Sequence, residues 1–323
     1  MDFTDELRAF AGQLRAAAEA FQPISLPKMP KKIIYGGMGG SGIAADFVQG
    51  ALYDKAPMPI TVVKDYHLPA WGDEDTLVVL ASYSGNTEET LSLFDEATAR
   101  NAMTVAVTTG GQLGERAQAQ GIPLYRMPAG YQPRMAFGYS LGYQLLITGS
   151  ALKPLVEWTP QWLQTLADRF EPTEPFETLG EGWSLRFCPE CRFVIFTDRP
   201  AYPVALRLMQ QLNENAKMEA CVHPVPEFNH NGLEGWRPWP DVNYVFLFTE
   251  GAPRIARRFA FMRSMIEAVG APLLEKVMPN HLEGRLEVTY ALDFLSLAMA
   301  ERRGVDAQSV PTISRLKAFL AQE

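Results

Sequence analysis

Short apolar runs alternating with amphipathic stretches set the rhythm of this chain. Phe3, Leu7, Phe10, Leu14, Ala18 and Phe21 recur at three-to-four spacing, which predicts a leading amphipathic helix ended by Pro23, Pro27 and Pro30. Lys32–Tyr35, Ile60–Lys64, the Val- and Leu-rich run from Thr76 to Ser82, Met103–Thr108 and Ile122–Arg126 read as buried strands. Helical patterns follow over Ile43–Leu52, after Asn86, over Gln112–Gln120, and from Arg134 to about Leu152. Asn86-Thr87-Glu88-Glu89 fits a capping pattern, with Asn at the cap and Glu three residues on. The resulting order, β-α-β-β-α-β-α-β-α, predicts an open, mainly parallel α/β sheet covered on both faces.

Residues 153–190 change character. Trp158–Phe170 reads as a connecting helix, and Glu171–Gly182, rich in Pro, Glu and Gly, as a linker. Strand patterns then resume at Arg192–Thr197, Ala220–His223, Tyr244–Thr249 and Leu273–Val277. Helical ones cover Tyr202–Lys217, Pro253–Ala268 and His281–Arg302. The chain thus divides into two α/β halves of similar rhythm, 1–155 and 156–323, as a duplication would give.

Composition narrows the function classes. The chain of 323 residues suffices for two ordinary domains, and 47% hydrophobic with 20% charged residues describes a globular protein. A net charge of −8 argues against nucleic acid as a partner. No run approaches a membrane span and the N-terminus lacks a signal-peptide core, so a cytoplasmic protein with reduced thiols is expected. Cys188-Pro-Glu-Cys191 is a CxxC, which could mean a metal or a redox pair, but four-ligand zinc needs a second such pair and the sequence has none. A surface turn and no metal site are the expectation.

Two strand-to-helix turns carry the candidate binding chemistry. Gly36-Gly37-Met38-Gly39-Gly40-Ser41-Gly42 contains a literal G-x-G-x-x-G, with Asp65 about 20 residues on, which is a dinucleotide fingerprint. The same glycines let a backbone approach a compact phosphosugar, with the Ser41 hydroxyl beside it. In the second turn Ser82, Ser84 and Thr87 stand at a helix start, where unpaired N–H groups and the helix dipole both favour an anion. The corresponding turn of the second half, Asp198-Arg199-Pro200, lacks glycine, so no second phosphate site is expected there. Glu214, between two asparagines at a helix end, and His230, between Asn229 and Asn231 in a polar turn, form a candidate proton-transfer pair. The asparagines could orient the imidazole.

Taken together, GGMGGSGIAADF (Gly36–Phe47), SYSGNTEETL (Ser82–Leu91), QPRMAFGYSLG (Gln132–Gly142), LNENAK (Leu212–Lys217) and FNHNGLEGW (Phe228–Trp236) resemble the bifunctional phosphoglucose/phosphomannose isomerases. The resemblance spans most of the chain in the same motif order and displaces the dinucleotide reading. It implies two SIS-type doubly wound, mainly parallel sheets flanked by helices. It also implies metal-independent, cofactor-free interconversion of glucose 6-phosphate, and mannose 6-phosphate, with fructose 6-phosphate through a cis-enediol. Glu214 would be the base, His230 the ring-opening group, Arg134 the stabiliser of the enediolate, and Lys317 a further lysine near the substrate. Gly39, Gly40, Ser41, Ser82, Ser84 and Thr87 would hold the phosphate. In such enzymes the histidine comes from the other subunit, so a homodimer is implied. Gly232 stands where the family usually has an acid, and either Ser309 or Thr312 could be the small hydroxyl residue associated with the mannose epimer. The competing expectation is a phosphosugar-binding SIS regulator without catalysis.

Overall fold

Strands made of Val, Ile and Leu with no polar face must be covered on both sides, and that requirement organises the fold. The computed structural model describes residues 3–320 and 322 and divides into two compact units, Met1–Thr173 and Glu174–Glu323.

The first unit runs α1 (Phe3–Arg8), α2 (Phe10–Ala20), β1 (Lys32–Gly36), α3 (Gly39–Leu52), β2 (Ile60–Val63), β3 (Thr76–Ser82), α4 (Glu88–Ala99), β4 (Met103–Thr108), α5 (Gly111–Ala119), β5 (Leu124–Arg126), α6 (Phe137–Ala151) and α7 (Pro160–Asp168). Its five strands are all parallel in the order β2-β1-β3-β4-β5. All residues of β3 are buried. Ile34, Val78, Leu80 and Ala106 pack on Phe94, Leu113 and Ala117 of α4 and α5. Side chains alternate along a strand, so Tyr35 takes the other face, where its hydroxyl meets Thr148 of α6. Phe137 of α6 stacks on Phe10 of α2 at 5.7 Å and lies 5.5 Å from Phe47 of α3. The leading helix is broken at Ala9, and α3 starts at Gly39, inside the glycine loop.

The α7 helix is not a connector. Phe170, just beyond it, meets Phe10 edge-on at 4.8 Å, and Arg15 of α2 pairs with Asp168 at 2.8 Å and Glu171 at 2.7 Å. Those contacts hold it on the first unit.

The second unit runs α8 (Glu174–Ser184), β6 (Phe193–Thr197), α9 (Tyr202–Glu214), β7 (Ala220–Pro224), a 3-10 turn (Glu227–His230), α10 (Gly232–Gly235), β8 (Asn243–Thr249), α11 (Pro253–Val269), β9 (Leu273–Met278), α12 (Leu282–Arg303) and α13 (Pro311–Leu320). Its strands are parallel in the order β7-β6-β8-β9. Phe196, Tyr244, Phe246, Phe259 and Met262 form one core face. Between α9 and α12, Arg207 and Asp293 make a buried ion pair at 2.7 Å.

Two further expectations fail in the second unit. The supposed linker 171–182 is mostly α8. Gly180 lets α8 approach α12 so closely that a Cβ would lie 2.5 Å from the Ala291 carbonyl oxygen, and Phe176 meets Tyr290 at 5.2 Å. The glycine that suggested a linker is a packing residue. Cys188 and Cys191 do occupy a turn, but their sulfurs form a disulfide instead of remaining reduced. The Asn243 carboxamide closes that turn, accepting from Cys188 N–H at 3.0 Å and donating to the carbonyls of Cys188 and Cys191. Among the described residues, no helix is long and apolar enough to cross a membrane.

Candidate active site

In an open parallel sheet the strand order reverses at one point, and the loops leaving the flanking strands diverge there to leave a crevice. In the first unit that point lies between β1 and β3. The loops at its carboxyl edge are the glycine loop and the Ser82–Thr87 turn. They are tied together: the Tyr83 N–H donates to Ser41 Oγ at 3.2 Å, and the Ser82 and Thr87 hydroxyls bond at 2.8 Å. Gly85 N–H donates to Ser82 Oγ at 3.1 Å and Asn86 N–H to Ser84 Oγ at 3.2 Å. Gly85 has φ 69°, and a Cβ on it would strike the Gly110 carbonyl, so glycine is required there.

Asn86 does not cap α4 as its position suggested. Thr87 is the N-cap, and the Asn86 side chain instead accepts from Gln112 N–H at 3.1 Å, joining the start of α5.

A third segment reaches the same place. A Cβ on Gly40 would lie 2.8 Å from the Pro133 carbonyl oxygen and 3.0 Å from Arg134 Cα. Arg134 is buried, its guanidinium 5.0 Å from the Phe3 ring centroid. Gly39, Gly40, Ser41, Ser82, Ser84, Thr87 and Arg134 therefore belong to one connected set of loops. Two members had gone unmarked. Tyr83 holds the loop before Arg134, accepting from Tyr131 N–H and donating to the Pro128 carbonyl. Gln144 donates to the Ser41 carbonyl and Ser140 Oγ. Tyr83 sits inside the Ser-Tyr-Ser motif; Gln144 lies in an apolar helix that offers no local signal.

The second sheet reverses between β6 and β8. Buried Asp198 fills its crevice, accepting from Ala201 N–H, Thr249 N–H and the Thr249 hydroxyl at 2.7–3.0 Å. A carboxylate in that position repels an anion, in keeping with the missing glycines.

Glu214 is the last residue of α9, which leaves the carboxyl edge and returns to the amino edge. There Asn213 Oδ1 accepts from Ala220 N–H at the start of β7. Glu214 opens into a cleft of about 480 Å³ with Asn213, Lys217, Met218, Glu219 and Val310–Ile313. Thr312 thus lines this cleft, whereas Ser309 supplies a carbonyl to Lys217.

His230 lies beyond the opposite end of β7, in the 3-10 turn. Five strand residues separate the two edges, roughly 16 Å at ~3.3 Å per residue. Within this unit the pair is not brought together. Nor do the asparagines orient the imidazole. Asn229 accepts from Arg258 and donates to Met262 Sδ, while Asn231 donates to Glu227 and accepts from Gly232 N–H. His230 is exposed, and its imidazole makes no hydrogen bond to a described residue. Lys317 is exposed on α13.

A SIS-domain family model matches residues 28–120, and a model of the bacterial phospho-glucose isomerase C-terminal SIS domain matches 191–320. A bifunctional phosphoglucose/phosphomannose isomerase from Aquifex aeolicus is 34% identical over 295 residues, covering 89% of each chain. The chain belongs to the bifunctional phosphoglucose/phosphomannose isomerase family. A D-glucosamine-6-phosphate 4-epimerase from Sulfolobus acidocaldarius is 36% identical over 214 residues, 64% of each chain. The solved C-terminal domain of glucosamine-fructose-6-phosphate aminotransferase from Francisella tularensis aligns with TM-score 0.75 at 16% identity, covering 95% of this chain and 97% of that one. That likeness shows the fold.

The dinucleotide fingerprint calls for an acidic residue after the second strand, and Asp65 stands at that place. Asp65 is exposed and accepts from Tyr66 N–H at 2.7 Å, closing its own turn. The departure at Gly232 also has a local cause: a Cβ there would run into the Phe228 ring.

Proposed function

We propose that this phosphosugar isomerase interconverts glucose 6-phosphate, and mannose 6-phosphate, with fructose 6-phosphate. Hydroxyls of Ser41, Ser82, Ser84 and Thr87, with the Gly39–Gly40 backbone, hold the phosphate. Glu214 removes the C2 proton of the open-chain aldose while O1 gains one, giving a cis-enediol. The proton then returns to C1 as O2 loses its own. Arg134 offsets the negative charge that develops on the enediolate oxygens. His230 moves protons at the ring oxygen and anomeric hydroxyl during ring opening, and Lys317 lies near the sugar. The observation that carries this reading is the hydroxyl-lined switch point of the first sheet, where binding a remote phosphate can orient C1 and C2 for the base.

The opposite-edge positions of Glu214 and His230 support a homodimer in which each site takes its histidine from the partner chain. The test is complementation between His230→Ala and Glu214→Gln chains, each inactive alone. Half of randomly mixed dimers are mixed, and each of those holds one intact site of two, so about a quarter of wild-type activity should return. No recovery would remove the shared site.

The reaction is tested by NMR on purified protein given each sugar phosphate separately. Isomerisation at C1 and C2 is expected. Binding without turnover would favour the regulator, and inversion at C4 would assign an epimerase.

A further inference from the structure

The end of α9 is closed by cations where helices commonly use a glycine. Lys217 adopts the left-handed conformation, φ 54°, usual for glycine after a helix. Its ammonium donates to the Glu214 carbonyl at 2.5 Å and to the Ser309 carbonyl at 2.6 Å, with the Ala307 carbonyl at 3.5 Å. Arg303, in the last turn of α12, donates to the Ala216 and Lys217 carbonyls at 2.9 and 2.6 Å. The two cations thereby tie the residue bearing the Glu214 carboxylate to the chain that leaves α12. Immediately beyond Ser309, Val310 and the first residues of α13, Pro311–Ile313, form one wall of the Glu214 cleft, and α13 is exposed along its length.

We propose that Lys217 is a positioning residue: its ammonium clips the 307–309 segment to the end of α9 and so fixes the Val310–Ile313 wall against Glu214. The proposal rests on the reading of Glu214 as the base. Charge-assisted bonds from one ammonium to carbonyls on two segments fix their separation more tightly than chain connectivity does. A base must be held within a fraction of an ångström of its proton, and a wall that drifts lets the sugar drift with it.

The test uses the full-length protein with Lys217→Met, Lys217→Gly and Lys217→Arg. Glycine suits the left-handed backbone, so Lys217→Gly removes the ammonium without backbone strain and serves if Lys217→Met folds poorly. Both neutral variants should exchange amide hydrogens over 305–316 at least ~10-fold faster. Both should lose roughly 10- to 100-fold in kcat for fructose 6-phosphate with KM changed less than about threefold, because the phosphate grip is untouched. Lys217→Arg should recover part of both effects. Wild-type exchange in the neutral variants would overturn the clip. So would faster exchange with unchanged kcat, or a loss confined to KM. The separate reading of Glu214 fails only if Glu214→Gln stays active, so the two failures are distinguishable.

Discussion

Gly40 lies against the backbone of Pro133, so close that a Cβ would stand 2.8 Å from its carbonyl oxygen. The start of α3 and the loop before α6 are thus in register only while residue 40 has no side chain. Gly40→Ala should push the Arg134 loop away, at a cost of roughly 1–3 kcal/mol in stability. The kcat/KM for fructose 6-phosphate should fall by about 10²-fold, since a displacement near 1 Å suffices for that. Urea melts and steady-state kinetics check both. Wild-type kinetics in Gly40→Ala would detach Arg134 from the reaction.

The Ser82 hydroxyl faces both Thr87 and the Gly85 N–H. Ser82→Ala should raise KM for every hexose 6-phosphate by ~10- to 100-fold, the loss of one hydrogen bond to a charged group, with a smaller change in kcat. Inorganic phosphate should weaken as a competitive inhibitor in parallel. An unchanged inhibition constant would move the phosphate elsewhere.

His223 packs against both Phe196 and Phe228, with ring centroids 5.4 and 5.1 Å away, just before the turn that carries His230. Burial pushes its pKa below 6.5. The neutral ring is therefore favoured in the folded chain. Its contribution to stability is complete above the unfolded pKa of about 6.5 and is lost as pH falls through the lower folded value. Melting temperatures between pH 8 and 5 should drop less steeply for His223→Phe than for wild type. Equal slopes would contradict this.

The strands were legible because each is a short Val/Ile/Leu run bounded by turn residues, and Met103–Thr108 falls where its pattern ends. Helix limits were less so: the helix predicted over Ile43–Leu52 starts at Gly39, since the crevice demands small residues at a helix start, against their propensity. The linker reading of 171–182 failed for the same kind of reason, because Gly180 serves the approach of α12, over a hundred residues away in sequence. In the candidate site, hydroxyls adjacent in sequence were readable as one loop. The contacts of Gly40 with Pro133 and of Lys217 with Ser309 were not, since neither leaves a local pattern. Asn86 and Asn229 illustrate the converse: cap and turn chemistry suggested nearby partners, and the folded chain supplies distant ones.

The account depends most on Glu214 as the proton-moving base, and Glu214→Gln tests it directly in deuterium oxide with saturating fructose 6-phosphate. Deuterium entry at C1 and C2, followed by NMR, should slow by roughly 10²–10⁴-fold while calorimetric affinity for the sugar phosphate stays within about threefold of wild type. Deuterium entry at a near-normal rate in that variant would contradict the mechanism.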